Sequence, residues 1–565
     1  MVIQSRWNIP VAPVSLPTFI FDSPHGELPK TAAYLSAVEP DKHFLSLDDY
    51  RLYAKRLASG LRRAGLQPGE RVLLFSGNTL FFPSVIMGVI MAEGVFTGAN
   101  PTYVARELAY QLKDSGAKYL ICAEASLDTG LAAALEVGMA ADRVFIFDDG
   151  TATFEGRKVE KDTQLGRVRH WTSLLDTEQN GHTYAWPDLK TPEELDRTVA
   201  LNYSSGTTGV AKGVMITHRN YVANCTQQIY MQTLSPKYQQ SLPKKRLLCF
   251  LPMYHAMAQA IFCVNAIKQR IPVYVLQKFD FLEMLTYVQK YGITDLVLVP
   301  PVLVAMAKHP ATKKFDLSSV ENVSSGAAPL GREASQEFEK LWKNGQVNVR
   351  QGWGMTEVTC AATMFDPSKY SASFSVGELV PNCEAKIVLD DEGKVEARQG
   401  ERGEIWVRGP NVMKGYWNKP DATEGTFGPG RWLKTGDVAY VDEEGNFFIV
   451  DRKKELIKVK GLQVAPAELE AMLLDHPEVQ DAAVIGVPHN GDEAPRAYIV
   501  PQNPDKATPE LAEAIRSWLT ERVSRHKRLE GGVHFIDAVP KNPSGKIQRK
   551  LLREQAALAD TKAKL

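Results

Sequence analysis

Short apolar runs alternate with longer amphipathic stretches up to about residue 380, and this alternation most constrains the fold. The runs at 71–75, 118–124 and 143–149 read RVLLF, KYLICAE and RVFIFDD. Apolar strands separated by helical stretches build a parallel sheet that helices cover. We therefore predict an α/β fold for this part of the chain. The apolar stretch at 84–96 is predicted to be a buried helix, because it contains Glu93 and is too short to span a bilayer.

A second series of strands is predicted farther along the chain. It begins at 293–299 (ITDLVLV) and continues through ENVSSGAAPL and NVRQGWGMTE, in which a strand runs into a glycine-rich loop. Ligands of open α/β sheets bind beyond the carboxyl ends of the strands. We therefore expect the loops at 204–213, 325–329 and 352–357 to surround one crevice.

After about residue 380 the pattern changes to short strands and turns, and the last hundred residues are typical of a small α+β unit. Helices are predicted at 465–477 and 508–523, the second with Thr508 as its N-cap. Strands are predicted at 481–487 and 497–500. We predict domains at 1–450 and 451–565.

Composition narrows the functional classes. The chain has 565 residues, with 66 Lys plus Arg against 66 Asp plus Glu, so its charge does not indicate a nucleic-acid partner. Its six cysteines contain no C-x-x-C pair, which favours buried thiols over a disulfide framework or metal cluster. No secretory pattern opens the chain. The final Ala563-Lys564-Leu565 resembles a peroxisomal address read by an import receptor, with a chance tripeptide and a cytoplasmic protein as the alternative.

The segment YSSGTTGVAKG at 203–213 is the first candidate site. It lacks the order of a P-loop, since Gly213 and Val214 follow Lys212. Flanking strand-like segments predict a hairpin whose amides and hydroxyls could surround an anion. The hydroxyl donors are Ser204, Ser205, Thr207 and Thr208. Gly206 and Gly209 allow the backbone to approach the anion closely, and Lys212 adds a mobile positive charge. A solvated Ser/Thr/Gly loop is the alternative.

Four further segments carry candidate side chains. Thr356 and Glu357 end the segment GWGMTE, where a carboxylate facing phosphate suits Mg²⁺. Asp437 ends the segment LKTGD. Its carboxylate could accept hydrogen bonds from two ribose hydroxyls, or it could stabilise a turn. The charged run DRKKELIKVKG at 451–461 is either a solvated face or an interdomain linker. The turn PKNPSGKIQRK at 540–550 presents Lys546, which as an ordinary loop lysine would be exposed.

Together and in this order, these segments resemble the adenylate-forming superfamily, and among its members the acyl-CoA synthetases related to 4-coumarate–CoA ligase and firefly luciferase. The resemblance extends from about residue 40 to about residue 555. It implies an α/β fold with a large N-terminal domain of mixed and parallel sheets, covering helices and a small β-barrel-like part, followed by a small mobile α+β C-terminal domain. It also implies that a carboxylate attacks ATP to give an acyl-adenylate, from which CoA displaces AMP.

The resemblance implies specific roles. Lys546 would bridge carboxylate and α-phosphate, Thr356 would contact the same groups, and Glu357 with Thr208 would bind Mg²⁺. The hinge of the small domain falls at Lys454. The implied ATP contacts are Ser204, Ser205, Gly206, Thr207, Thr208, Gly209, Lys212, Gly326, Ala327, Ala328, Gln351, Gly352, Thr356, Asp437, Arg452 and Lys546. The implied CoA contacts are Lys278, Lys458, Gly461 and Gln463.

The implied acyl pocket distinguishes this chain from hydroxycinnamate ligases. Its lining is His255, Ala256, Met257, Ile261, Ala327, Gly352 and Gly354, and His255 would flank the reacting carboxylate unless it is simply a core histidine. Met257 stands where those enzymes carry a tyrosine. We therefore expect an apolar substrate, either a medium-chain fatty acid or an unhydroxylated aryl acid such as phenylacetate or cinnamate, and broad specificity.

Three other functions compete with the acid–CoA ligase. They are an adenylating enzyme that loads a carrier protein, a luciferase-like oxygenase, and an inactive family member that acts as a scaffold. The last is disfavoured because Thr356, Glu357, Asp437, Arg452 and Lys546 are all present.

Overall fold

The structure, a computed structural model, describes residues 2–148, 150–154, 156, 160–204, 211–371, 374–460, 462–489, 492–542 and 545–562. We call residues 2–452 the large lobe and residues 457–562 the small lobe. The predicted boundary between residues 450 and 451 falls within the strand Phe447–Arg452, and the division into domains stays a prediction.

A nine-stranded sheet forms one layer of the large lobe. Its six central strands are parallel, and an antiparallel strand or pair adds to each edge. In spatial order its strands are Gly415–Tyr416, Lys212–Thr217, Thr198–Ser204, Val95–Ala99, Arg71–Phe75, Ala117–Ala123, Val144–Phe147, Gly166–His170 and Glu160–Thr163.

A seven-stranded sheet forms the second layer, and all but its last pairing is parallel. Its spatial order is Val349–Gln351, Asn322–Ser325, Asp295–Leu298, Leu247–Cys249, Val273–Val275, Ala32–Ser36 and Phe44–Ser46. The two series of strands predicted from the sequence therefore belong to separate sheets.

Helices cover both sheets. Apolar side chains of Leu47–Arg63, Phe82–Met91 and His218–Thr233 share one core with both sheets, while Ala105–Ser115 and Leu127–Glu136 pack on the other face of the nine-stranded sheet. Three further helices of the large lobe are Phe281–Tyr291, Pro300–Lys308 and Arg332–Glu339. The apolar stretch at 84–96 is helical only to Met91, since Glu93 turns the chain at a φ of 58° and the strand Val95–Ala99 follows.

A six-stranded sheet of antiparallel strands corresponds to the predicted barrel-like part. Its strands are Ile3–Gln4, Glu384–Val388, Gly403–Arg408, Trp432–Val441, Phe427–Gly428 and Phe447–Arg452. Two short strands, Thr363–Met364 and Glu378–Leu379, pair separately. This sheet carries Asp437 and Arg452 opposite each other on adjacent strands.

The small lobe is an α+β unit, as predicted. The strands Val479–His489, Asp492–Pro501 and Val533–Phe535 form its sheet, with Pro466–Leu474 and Pro509–Thr520 on one face and Arg549–Lys562 on the other. The hydroxyl of Thr508 accepts from Leu511 N, so Thr508 is the predicted N-cap. A separate hairpin joins Ile457–Val459 to Leu462–Val464.

The six cysteines are all free thiols, and Cys360 is the one that is not fully buried. No helix that the structure describes combines the length and the apolarity needed to cross a bilayer.

Candidate active site

A cavity of about 450 Å³ lies between the two lobes. The small lobe contributes Lys546, and the large lobe contributes Asp437 and Arg452 together with the loops after two strands of the seven-stranded sheet. Those loops supply Ala327 and Gly352. This arrangement agrees with the rule that ligand sites lie beyond the carboxyl ends of the strands.

Asp437 lines this cavity, and two partners orient its carboxylate. Its Oδ1 is 2.7 Å from Arg452 Nε, and its Oδ2 accepts from Trp353 Nε1 at 2.8 Å. Burial raises the pKa of Asp437, although the charge of Arg452 opposes this effect. No role was predicted for Trp353, so its bond to Asp437 is a contact that sequence reasoning missed.

Lys546 is a partly buried cation in the same cavity. Burial lowers its pKa, the charge of Arg452 lowers it further, and Asp437 acts in the opposite direction. Its backbone N–H donates to Asn542 Oδ1 at 2.9 Å, which anchors the turn that presents the side chain. Its charge also contributes to the low pKa of His255, about 4, for which burial is the larger cause. Lys546 lines the cavity together with Ala327 and Gly352 at the carboxyl ends of the strands.

Glu357 faces the start of the predicted phosphate hairpin. Its Oε1 accepts from Ser204 Oγ at 3.0 Å and from Tyr416 OH at 2.9 Å. Lys212 Nζ lies 4.2 Å from the centroid of the Tyr416 ring. Both hydroxyl contacts reach the same oxygen of a buried carboxylate, in a setting of oxygen donors that suits Mg²⁺. Tyr416 is a second contact that the sequence did not indicate.

The two loops that continue the seven-stranded sheet are tied to each other. Gly352 N donates to Ser325 O at 3.0 Å, and Gln351 Nε2 donates to Leu330 O at 3.2 Å. Ala327 has a φ of 71°, in the left-handed region that non-glycine residues rarely adopt. Strained backbone of this kind persists where the surrounding structure enforces it, and it clusters at functional sites.

A second cavity of about 260 Å³ adjoins the first and shares Ala327 and residues 351–354 with it. One wall carries the predicted acyl-pocket residues His255, Ala256, Met257 and Ile261. Gly326 and Thr356 also line this cavity, whereas Ala328 lines the first. Several of the predicted ATP and acyl residues thus line these two adjoining cavities, whereas Ser204 and Lys212 line neither.

The rest of the second cavity is more polar than the sequence indicated. The residues that sequence reasoning missed are Gln228, Gln232, Tyr238, Lys245, Asn265, Gln269, Asp295, Asn322, Ser324 and Arg350. They come from five separate segments of the chain, and no role was predicted for any of these side chains.

Some predicted residues lie away from both cavities or outside the described residues. Lys278 is exposed after the strand Val273–Val275, Lys454 is exposed in the turn after Phe447–Arg452, and Lys458 pairs with Gln463 across the small-lobe hairpin. Three sets of predicted residues lie outside the described part of the chain. They are the hairpin residues Ser205, Gly206, Thr207, Thr208 and Gly209, the single residue Gly461, and the final Ala563, Lys564 and Leu565.

Comparison with known proteins assigns the chain to a family. The family model described as AMP-binding enzyme matches residues 26–417, and the model of its C-terminal domain matches residues 468–546. A phenylacetyl-CoA ligase from Aspergillus niger is 36% identical over 561 residues, which cover 98% of this chain and 99% of the relative. The 4-coumarate–CoA ligase 1 of Petroselinum crispum is 36% identical over 519 residues, 90% of this chain and 88% of the relative.

A solved structure agrees with this assignment. ATP-bound MatB from Rhodopseudomonas palustris superposes with a TM-score of 0.80 at 27% identity, covering 96% of this chain and 98% of the other. The predicted α/β architecture with a smaller C-terminal domain is thereby confirmed. The chain belongs to the AMP-binding enzyme family, and within it to the adenylate-forming acyl-CoA synthetases, whose substrates include ATP and CoA.

Proposed function

We propose that the chain converts an aryl or medium-chain carboxylic acid to its CoA thioester. The single observation that carries the assignment of roles is that Lys546 of the small lobe lines the same cavity as Asp437 and Gly352 of the large lobe. The identity to a phenylacetyl-CoA ligase supports an aryl substrate, and Ala256, Met257 and Ile261 supply an apolar wall for one.

In the first step, a carboxylate oxygen attacks the α-phosphorus of ATP. The bond from that phosphorus to the β-phosphate oxygen breaks, and pyrophosphate leaves. Two anionic groups must meet, so a cation placed to interact with both lowers the barrier. One preorganised group of this kind contributes about 10²–10³ in rate. Lys546 has this role in the proposal, and Asp437 accepts from the ribose hydroxyls while Arg452 holds it in place.

Mg²⁺ fits beside Glu357. None of the described residues form a cluster of three or more His, Cys, Asp or Glu side chains, and Mg²⁺ needs few protein ligands because it keeps several waters. When bound, the ion neutralises charge on the phosphates. Glu357 would hold it, with Thr208 and the other hairpin residues 204–212 on the phosphates.

In the second step, the sulfur of CoA attacks the acyl carbon, the bond from that carbon to the phosphate oxygen breaks, and AMP leaves. Lys278, Lys458 and Gln463 lie outside both cavities in this arrangement. We infer that the small lobe turns about Lys454 and brings Lys458, Gly461 and Gln463 to the site for this step.

A panel of aliphatic and aryl acids tests the proposal. We expect acid-dependent ATP–pyrophosphate exchange without CoA, and equal amounts of AMP and acyl-CoA when CoA is present. Exchange without thioester would favour carrier-protein loading, and light or oxygen consumption would favour an oxygenase. Absence of exchange with every acid would favour an inactive scaffold.

We also propose a peroxisomal location, which is supported by the final Ala563-Lys564-Leu565. Removal of these three residues should shift a tagged protein from peroxisomes to the cytoplasm. An unchanged distribution would contradict the proposal.

A further inference from the structure

We call the second cavity the acyl cavity. One of its walls is the face of three strands of the seven-stranded sheet. Arg350 lies opposite Ser324, Ser324 opposite Val297, and Asn322 opposite Asp295. Side chains alternate between the faces of a strand, so these five residues share one face, whereas Leu296, Leu298, Val323 and Val349 point into the core. Four of the five residues on the cavity face are polar.

This polar wall extends away from the reacting end of the cavity. The strands are parallel, and their carboxyl ends lead into Gly326 and Gly352 beside the first cavity, which we call the nucleotide cavity. Asn322 precedes Gly326 by four residues, which is about 13 Å along a strand. A substrate whose carboxylate lies near Gly352 therefore passes along the polar wall with the rest of its length.

Most polar groups around the cavity bond to one another. Asn265 donates to Gln228, Tyr238 donates to Gln269 at 2.9 Å, and Lys245 Nζ is 3.1 Å from Asp295 Oδ1. These pairs leave little capacity for a ligand.

Three groups are different. Within the described residues that line this cavity, Arg350 Nε, Gln232 Oε1 and Ser325 Oγ are buried atoms without a hydrogen-bond partner. The guanidinium of Arg350 donates to Pro367 O at 3.3 Å through Nη2, but the nearby carboxylate of Asp366 is taken by Arg6 at 2.8 Å. A buried donor without a partner is costly unless water or a ligand satisfies it. Arg350 thus contributes a cation to the lining of the cavity, opposite Ser324, and its Nε is a donor that no described protein atom accepts from.

We infer that the preferred substrates are acids that carry an oxygen acceptor, as a ketone, several bonds from the carboxylate, and that Arg350 selects them by donating to that oxygen. This inference deepens the proposed function and rests on it. The apolar wall of Ala256, Met257 and Ile261 accommodates the hydrocarbon, while the opposite wall recognises the oxygen.

The test compares octanoate with its 5-, 6- and 7-oxo derivatives, assayed for acyl-CoA formation by the full chain with ATP, Mg²⁺ and CoA. We expect kcat/KM for at least one oxo acid to exceed that for octanoate by about tenfold or more, the gain typical of a hydrogen bond to a charged group. If octanoate is converted and no oxo acid is preferred, the inference fails while the proposed function stands. If no acid, octanoate included, yields a thioester, both fail.

Variants assign the preference to one residue. Arg350→Met should reduce the ratio of oxo acid to octanoate to about one, and Arg350→Gln, which keeps a donor, should give an intermediate ratio. The ratio is insensitive to partial misfolding, because inactive protein lowers both rates equally. Arg516→Met, on the exposed face of Pro509–Thr520, is the matched control and should keep the wild-type ratio. An unchanged preference in Arg350→Met would overturn the assignment.

Discussion

At the scale of single residues, the site depends on a few charges, buried or partly buried, whose surroundings set their protonation. Lys546 is the main example, since burial and Arg452 disfavour its charged form while Asp437 favours it. The neighbouring His255 has a pKa of about 4 and is neutral at physiological pH. The two adjoining cavities are therefore lined by an imidazole without charge and by a lysine that must keep its own.

Replacing Lys546 with alanine should separate the two half-reactions. We expect ATP–pyrophosphate exchange to fall by about 10²–10³, because the charge that lets two anions approach is lost. Conversion of supplied acyl-AMP and CoA should be retained, since no phosphate is attacked in that step. Equal losses in both half-reactions would contradict this division of roles.

The protonation of Lys546 should limit adenylation at alkaline pH. Its pKa is lowered from 10.5, so the rate should decline with rising pH before an ordinary lysine would lose its proton. Lys546→Arg keeps its charge, so the alkaline decline of its pH–rate profile should begin at higher pH, even if the maximal rate is lower. The measurement is pyrophosphate exchange between pH 7 and 10, and coincident alkaline limbs would count against Lys546 as the titrating group.

At the scale of elements, strand ends and helix ends decide which side chains meet. The helix His218–Thr233 starts with a buried histidine whose Nδ1 accepts from Leu16 N at 3.1 Å, which joins two distant helices. The helix Pro300–Lys308 ends with Lys308, whose Nζ donates to Leu474 O at 2.7 Å and to Val479 O at 3.2 Å in the small lobe.

His218 should make folding sensitive to acid. Burial lowers its pKa to about 3, so between pH 6.5 and pH 3 the unfolded chain binds more protons and stability is lost as pH falls. The expected loss from pH 7 to pH 5 is about 1–2 kcal/mol. His218→Gln keeps an acceptor but cannot titrate, so its urea unfolding should change less between these pH values. Equal changes in the two proteins would refute this prediction.

Lys308 should stabilise the arrangement in which Lys546 reaches the nucleotide cavity. Lys308→Met removes two charge-assisted hydrogen bonds between the lobes, so we expect adenylation to fall by about tenfold. Conversion of supplied acyl-AMP should not fall, because that step uses another arrangement. The exposed Lys313→Met is the control. Loss of both half-reactions to the same extent would indicate a general structural role instead.

At the scale of the whole molecule, two lobes with separate cores share one cavity. Lys453 binds the large lobe through Glu404 at 3.0 Å, whereas the next residue, Lys454, is exposed. The chain is therefore anchored immediately before the proposed hinge.

Stiffening the hinge should impair thioester formation and spare adenylation, whereas Lys546→Ala should have the reverse effect. Lys454→Pro restricts φ at that residue and the conformation of Lys453. We expect adenylation to be retained and thioester formation from acyl-AMP to fall by at least about tenfold. Lys454→Ala, which leaves the backbone free, should keep both rates. Retention of thioester formation in Lys454→Pro would place the hinge elsewhere.

The amino-acid sequence was sufficient to predict the α/β architecture, the family and several of the residues around the nucleotide cavity. These follow from features that are local in the chain: apolar runs that alternate with helical stretches, and motifs such as GWGMTE or LKTGD at strand ends. Because strand ends of a parallel sheet meet at one edge, the loops after 325 and 351 could be expected together.

The polarity of the acyl cavity and the contacts between the lobes became evident from the three-dimensional arrangement alone. Arg350, Gln232 and Asp295 are ordinary residues within a strand or helix, and no local pattern distinguishes them from surface positions. Strand register places them around one space, and packing leaves some of their polar atoms without partners. Whether a polar side chain is solvated or buried depends on segments far away in the chain, and a local pattern carries no information about them.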